Sequence, residues 1–399
     1  MENIPPIKYY LAEDTIDKKD VDSLIEWLKT YPRLTKDKLT LQFEERWSKW
    51  LGRKYSVFCN SGSSANLLMF AALMNSFFKN FKEKVRVVVP SVGWVTTIAP
   101  VMQLQGFDDP RMCEADRDTF GLDLDCLENI CKEYRPHVVI AVHVLGVPHE
   151  MDRLLDLKRR YGFFLLEDAC AAGGSSYLDK KVGSFGNMSS FSCYFGHQFS
   201  TIEGGIVSTD DEDFYETMFM LRSHGWDKDL ASRVQSAMRD DLQLDNFHAP
   251  FVFYIPGFNL RSTDLQAFIG LKQLDKLEWL VERRMENHLL YRRQLSDVVD
   301  FQKYDSRYTI CSIHFGALAK SNEERKKIVS ALVANGIETR IFSAGNLGRH
   351  PFWANRYGVF SAPMADRIHG CGFFLPNHPS LKKEDIEFIA DVVRKAVEG

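Results

Sequence analysis

Short β-branched and aromatic runs alternate along this chain with segments of helical period, and no other feature restricts the possible fold as strongly. Residues 85–89, 138–144, 163–166, 190–194 and 205–208 are the strand candidates, short and apolar as strands buried on both faces should be. With helical patterns between them and no internal repeat, the class is α/β. A chain of 399 residues is also too long for one core, since single cores stop growing near roughly 250–300 residues.

A second unit is expected where the texture changes after Arg261. Thr263-Asp264 opens a long amphipathic helix through Leu265, Ile269, Leu274, Leu277, Val281 and Leu289. Beyond it lie a helix from Asn322 stopped by Gly336, an extended segment 337–342 and a last helix over 384–397. The expected division is an N-terminal arm at 1–30, a large domain at 31–262 and a small domain at 263–399, with the arm packed on the small domain.

Partners are narrowed by charge. Fifty basic against 54 acidic residues give a net charge of −4, which offers no basic field for nucleic acid or a membrane surface. No stretch reaches the roughly 20 apolar residues that span a bilayer, and the first ten residues lack a secretion signal's basic-then-apolar pattern. The expected compartment is the cytoplasm. Eight cysteines are scattered without a C-x-x-C pair, so buried thiols are expected and no metal site; Cys126 and Cys131, the nearest to a pair, read as two small residues on one helix.

Three segments carry chemistry. Asn60-Ser61-Gly62-Ser63-Ser64 precedes a predicted helix over 65–81, whose Leu68, Ala71, Met74, Phe78 and Phe81 form one apolar face. Free backbone N–H groups at such a start suit a phosphate, although an ordinary capped helix has the same pattern. Asp168 ends an apolar run and should lie at the carboxyl edge of a parallel strand, where it either holds a cationic ring nitrogen or caps the next helix. Further on come Ser190-Phe191-Ser192-Cys193-Tyr194-Phe195-Gly196-His197 and Glu203-Gly204-Gly205.

Taken in order with Pro90 through Trp94 to Thr97, Glu167-Asp168-Ala169, Leu221-Arg222-Ser223-His224-Gly225 and Gly257-Phe258-Asn259-Leu260-Arg261, these segments resemble the sugar aminotransferase family, fold-type-I pyridoxal-phosphate (PLP) enzymes acting on nucleotide-linked 4-keto sugars. The resemblance implies a large mixed-sheet domain with helices on both faces and a smaller α+β C-terminal domain. It implies that Gly62, Ser63 and Ser192 hold the cofactor phosphate, that Trp94 stacks on its ring and that Asp168 pairs with the ring nitrogen. Asn259 would reach the phosphate of a neighbouring subunit, so a homodimer with shared sites is implied.

Two positions depart from the family pattern. Where lysine usually binds the cofactor covalently, this chain has His197; imidazole can move a proton but cannot make that bond. Within the family this replacement resembles the 3-dehydratases of deoxysugar pathways, which use pyridoxamine phosphate (PMP) formed with L-glutamate and release ammonia. One branch of these carries an iron–sulfur cluster on downstream cysteines; no cysteine lies between Cys193 and Cys311, so the cluster-free branch acting on GDP-4-keto-6-deoxymannose is the better match. The other readings are an aminotransferase lacking its lysine and a noncatalytic nucleotide-sugar-binding relative. At the second departure, Ala171 stands where many relatives place glutamine or histidine beside the cofactor's phenolic oxygen. His224 reads equally as catalytic or as a structural histidine, and Arg340, Asn346 and His350 as substrate-facing or as a polar loop.

Overall fold

In the computed structural model, which describes residues 5–398, the apolar runs assemble into one seven-stranded sheet. Its strands are β1 (Tyr55–Cys59), β2 (Val87–Pro90), β3 (Arg111–Cys113), β4 (Val138–Val142), β5 (Phe164–Asp168), β8 (Met188–Ser192) and β9 (Gly205–Thr209); β6 (Ser176–Tyr177) and β7 (Lys180–Lys181) form a separate hairpin. The order is β1-β9-β8-β5-β4-β2-β3, and only β9 runs against the others. Successive side chains of a strand face opposite ways. Val87, Val89, Val138, Ile140 and Leu166 therefore enter one apolar cluster, and Val88, Val139, Ala141 and Leu165 enter another. Helix Gly62–Asn75 covers the first face and helices Leu124–Tyr134 and Met151–Tyr161 the second, which explains the continuous apolar runs.

A second, antiparallel sheet joins β10 (Asp300–Phe301), β11 (His314–Leu318) and β12 (Gly372–Pro376). Phe315, Ala317, Phe373 and Leu375 pack there against Tyr291 and Leu295, Ile328 and Leu332, and Ile386, Ile389 and Val393 from three helices. The arm meets this unit: Tyr9 bridges to Ile337, and the Leu11 N–H donates to Glu338 Oε2 at 2.8 Å.

Several sequence expectations are corrected. The helix expected over 65–81 spans Gly62–Asn75, capped by the Ser61 side chain, and its buried positions run round the whole helix rather than along one face. The expected single helix from Asp264 is two, Asp264–Asp275 and Leu277–Leu295, broken at Lys276. The Lys276 ammonium is drawn to the Thr15 carbonyl and to Asp17 and Asp20 of the arm, contacts invisible to local periodicity. The first of the two helices packs Ala267, Leu271 and Leu274 against Phe43, Trp47 and Phe58, beside the large sheet. Segment 337–342 forms no strand; Ile337 and Ile341 make only isolated bridges. β5 runs two residues past its expected end, which puts Asp168 within the strand itself.

Candidate active site

The carboxyl ends of β1, β2, β4, β5 and β8 open into a cavity of about 600 Å3. Open α/β sheets place ligands at this edge, where the strand order reverses; here the reversal falls between β2 and β4. Eight of the residues singled out from sequence line the cavity: Gly62, Ser63, Trp94, Asp168, Ala171, Ser192, His197 and Arg340. No lysine is among the lining residues described.

The turn after β1 builds an anion cradle. The Ser61 hydroxyl accepts from the Ser64 N–H at 3.1 Å and the Ser61 carbonyl from the Ala65 N–H at 3.0 Å. Gly62 and Ser63 thus occupy the first helical positions, where N–H groups have no intrahelical partner and the helix dipole favours negative charge. A Cβ on Gly62 would lie 2.6 Å from Ser192 Cβ, so only glycine lets the helix start close on Ser192. The Ser63 hydroxyl is 3.1 Å from that of Thr96, a neutral contact that leaves room for an anion's charge. Trp94, 51% exposed, presents a broad aromatic surface in the same cavity.

Asp168 does not cap a helix. Its Oδ2 accepts from Asn66 Nδ2 at 2.9 Å and Thr97 Oγ1 at 2.6 Å, and its Oδ1 from the Cys170 N–H at 3.1 Å. Asn66 is itself fixed, its Oδ1 accepting from the Ser190 hydroxyl at 2.6 Å. The carboxylate is thereby held in one orientation, suited to a cationic ring nitrogen. Sequence reasoning gave neither Asn66 nor Thr97 a role.

His197 closes a tight turn after β8, its N–H donating to the Tyr194 carbonyl at 2.9 Å. Its Nδ1 is enclosed and has no hydrogen-bond partner. Burial pulls the imidazole down to about 4, and Arg284 and Arg340 act the same way against the pull of the Cys170 backbone and of Asp168. At neutral pH it is a free base. His314, which burial holds well below the usual imidazole range, lines the cavity with Glu338 and Arg340; sequence reasoning missed His314 and Glu338. Ala171 is also on the lining, and Asn346 and His350 are not. Asn346 is buried against Asp366, and His350 Nε2 pairs with the Ala344 carbonyl at 2.7 Å.

His224 and Asn259 do not line the cavity of their own chain. They sit together on a neighbouring surface, where Arg261 Nη2 lies 3.2 Å from His224 Nε2 and Arg261 Nε donates to Asn259 Oδ1 at 3.1 Å. His224 has a φ of +65°, and its N–H donates to the Phe258 carbonyl at 2.6 Å.

A mostly parallel sheet with a ligand cavity at its carboxyl edge, joined to a small antiparallel unit, defines the aminotransferase fold. The DegT/DnrJ/EryC1/StrS aminotransferase family matches residues 14–394, and the chain belongs to it. It is 31% identical over 394 residues to the GDP-4-keto-6-deoxy-D-mannose 3-dehydratase of Yersinia pseudotuberculosis, covering 98% of this chain and 99% of that one. Among solved structures it superposes on the E. coli GDP-4-keto-6-deoxy-D-mannose 3-dehydratase with bound hydrated PLP at a TM-score of 0.88, with 27% identity over 98% of this chain and 100% of that one. A GDP-4-keto-6-deoxymannose 3-dehydratase with a trapped PLP–glutamate geminal diamine matches at 0.87 and 27% identity, over 97% of this chain and 100% of the other. No helix among the described residues is long and apolar enough to cross a membrane.

Proposed function

We propose that this protein removes the 3-hydroxyl of a nucleotide-linked 4-keto-6-deoxy sugar, with GDP-4-keto-6-deoxymannose the preferred substrate, PLP as cofactor, L-glutamate as amino donor and ammonia released. The observation that carries this reading is His197, a neutral imidazole in a cavity with no lysine among its described lining residues. A protein without that amine cannot bond the cofactor or take over the sugar-bound nitrogen, so water must end the cycle and release of an aminosugar is disfavoured.

When bound, the cofactor supplies an amine for the sugar ketone and a ring that accepts electrons. Gly62, Ser63 and Ser192 would hold its phosphate, and Trp94 would hold its ring. Asp168, held by Asn66 and Thr97, keeps a proton on the ring nitrogen. His197 would move the proton, its neutral imidazole accepting from the carbon that bears the amine and the imidazolium so formed donating to the departing 3-hydroxyl. Asn259, exposed and off its own cavity, reaches the phosphate in a second copy of the chain, which makes the working unit a homodimer in the cytoplasm; His224 stands beside it.

Mass spectrometry of GDP-4-keto-6-deoxymannose incubated with protein, PLP and glutamate tests the proposal. A 3-deoxy-4-keto sugar with stoichiometric ammonia is expected. A 4-aminosugar would establish the aminotransferase reading, and unchanged substrate with retained binding the noncatalytic one. A separate prediction concerns attachment: borohydride reduction of the PLP-loaded protein followed by peptide mapping should leave every lysine unmodified, and a stoichiometric reduced adduct on any lysine would refute non-covalent binding.

A further inference from the structure

One fully enclosed cation lies behind the active-site turn without a countercharge. Arg284, on helix Leu277–Leu295, is 2% exposed, and no carboxylate among the described residues pairs with it. Its guanidinium reaches three backbone carbonyls instead. Nη2 donates to His197 at 2.9 Å, and Nη1 donates to Asn377 at 2.8 Å and to Ile313 at 3.3 Å, while Nε has no partner. Ile313 immediately precedes β11 and Asn377 immediately follows β12, so the group ties the His197 turn to the antiparallel sheet. Asn377 answers with its side-chain amide, which donates to the Ser312 carbonyl at 2.8 Å.

An unpaired charge in such a place is costly, and burial lowers Arg284 itself to about 10. Packing alone would be served better by methionine. The cation must therefore do something that an apolar side chain cannot, and the carbonyl it grips belongs to the residue that bears the base.

We propose that Arg284 is a positioning residue for His197: its fork fixes the turn that aims the imidazole into the cavity, and its uncompensated charge adds to the burial that leaves that imidazole able to accept a proton. This rests on the reading of His197 as the base. The charged and titratable groups that line the cavity with His197 are Tyr10 of the arm, Asp168 at the end of β5 and Cys170 after it, Tyr194 of its own turn, Glu203 before β9, His314 of β11, and Glu338 and Arg340 of segment 337–342, with Arg284 behind the turn. Burial dominates; against it the Cys170 backbone and Asp168 favour the imidazolium, whereas Arg284 and Arg340 oppose it. Burial lowers His314 and His378 as well, and Arg284 biases both in the same direction as His197. Lysine would keep the charge but not the planar fork.

The test is a pH titration of the full-length protein carrying 13Cε1-labelled histidine, with the His197 signal assigned as the one missing from His197→Asn. Parent protein should keep His197 neutral down to about pH 4. In Arg284→Met the midpoint should rise by on the order of one unit, and kcat should fall on the order of 10²-fold through a misplaced base, with little change in KM for the sugar. Arg284→Lys should hold the low midpoint yet lose kcat. A folded Arg284→Met with an unshifted His197 midpoint, or with parental kcat, overturns the proposal. If Arg284→Met does not fold, Arg284→Lys decides alone, and parental kcat in it overturns the proposal. The titration needs neither sugar nor turnover, so a failed dehydratase assignment would show in the product analysis and leave this readout intact.

Discussion

His197→Asn is expected to lower sugar dehydration by roughly 10²–10⁴-fold, the usual loss for a positioned acid–base group, while PLP affinity stays near the parental value. The separation follows from geometry. The proposed phosphate-binding residues Gly62, Ser63 and Ser192, the Trp94 surface and the Asp168 carboxylate make no hydrogen bond to the imidazole, and of these only Ser192 shares its strand end. Equilibrium dialysis with PLP and initial rates of 3-deoxy sugar formation measure the two halves. Because only the neutral imidazole accepts a proton, and burial with Arg284 and Arg340 holds it near 4, activity should persist into mildly acid solution and fall as pH drops through about 4. His197→Lys should differ in kind: dehydration falls, and borohydride should now trap the cofactor on residue 197. Full dehydratase activity in His197→Asn would reassign the base, with the cavity-lining His314 the first alternative within one chain.

Much of this architecture was legible in the chain because two-sided burial leaves a local mark. Runs such as Val87-Val88-Val89 and Val138-Val139-Ile140 have no exposed face to encode. β1 carries no such mark: its Ser56 points into the sheet's interior and is satisfied by the hydroxyls of Ser48 and Ser208, a pairing that exists only once the sheet forms. β12 was missed for a related reason, since Gly372-Phe373-Phe374-Leu375-Pro376 begins and ends in residues that read as breakers. The break at Lys276 depends on partners more than 250 residues away.

The site divides along the same line. Residues at strand ends and helix starts, such as Gly62, Asp168 and His197, fall in compact motifs. Their supports do not: Asn66 reaches Asp168 across 102 positions and Thr97 across 71. Arg284 sits in a charge-rich helix beside Arg283, where an arginine is ordinarily solvated. Its burial is purely tertiary, and composition gives no hint of it.

Asp168→Asn is the second large effect expected, with kcat lowered by roughly 10²–10³-fold, the scale of losing one preorganised electrostatic contact. Two things change at once. The ring nitrogen loses the negative charge that holds its proton, so the ring draws electrons less strongly from the reacting carbon. In addition, Asn66 Nδ2 and Thr97 Oγ1 both donate to Asp168 Oδ2, which an amide oxygen can still accept, whereas the N–H of Cys170 would face a donor in place of Oδ1. If the amide turns over, the clash moves to Asn66 and Thr97 instead. Either orientation leaves a buried donor unpaired, at about 1–3 kcal/mol. Thermal denaturation should therefore show a lower midpoint than the parent, and the rate loss should persist at saturating PLP. Asn66→Ala separates the contributions: it retains the carboxylate charge but removes one donor and the Ser190 link, so it should cost less in kcat than Asp168→Asn. Equal losses in the two variants would mean that orientation of Asp168, rather than its charge, governs the chemistry.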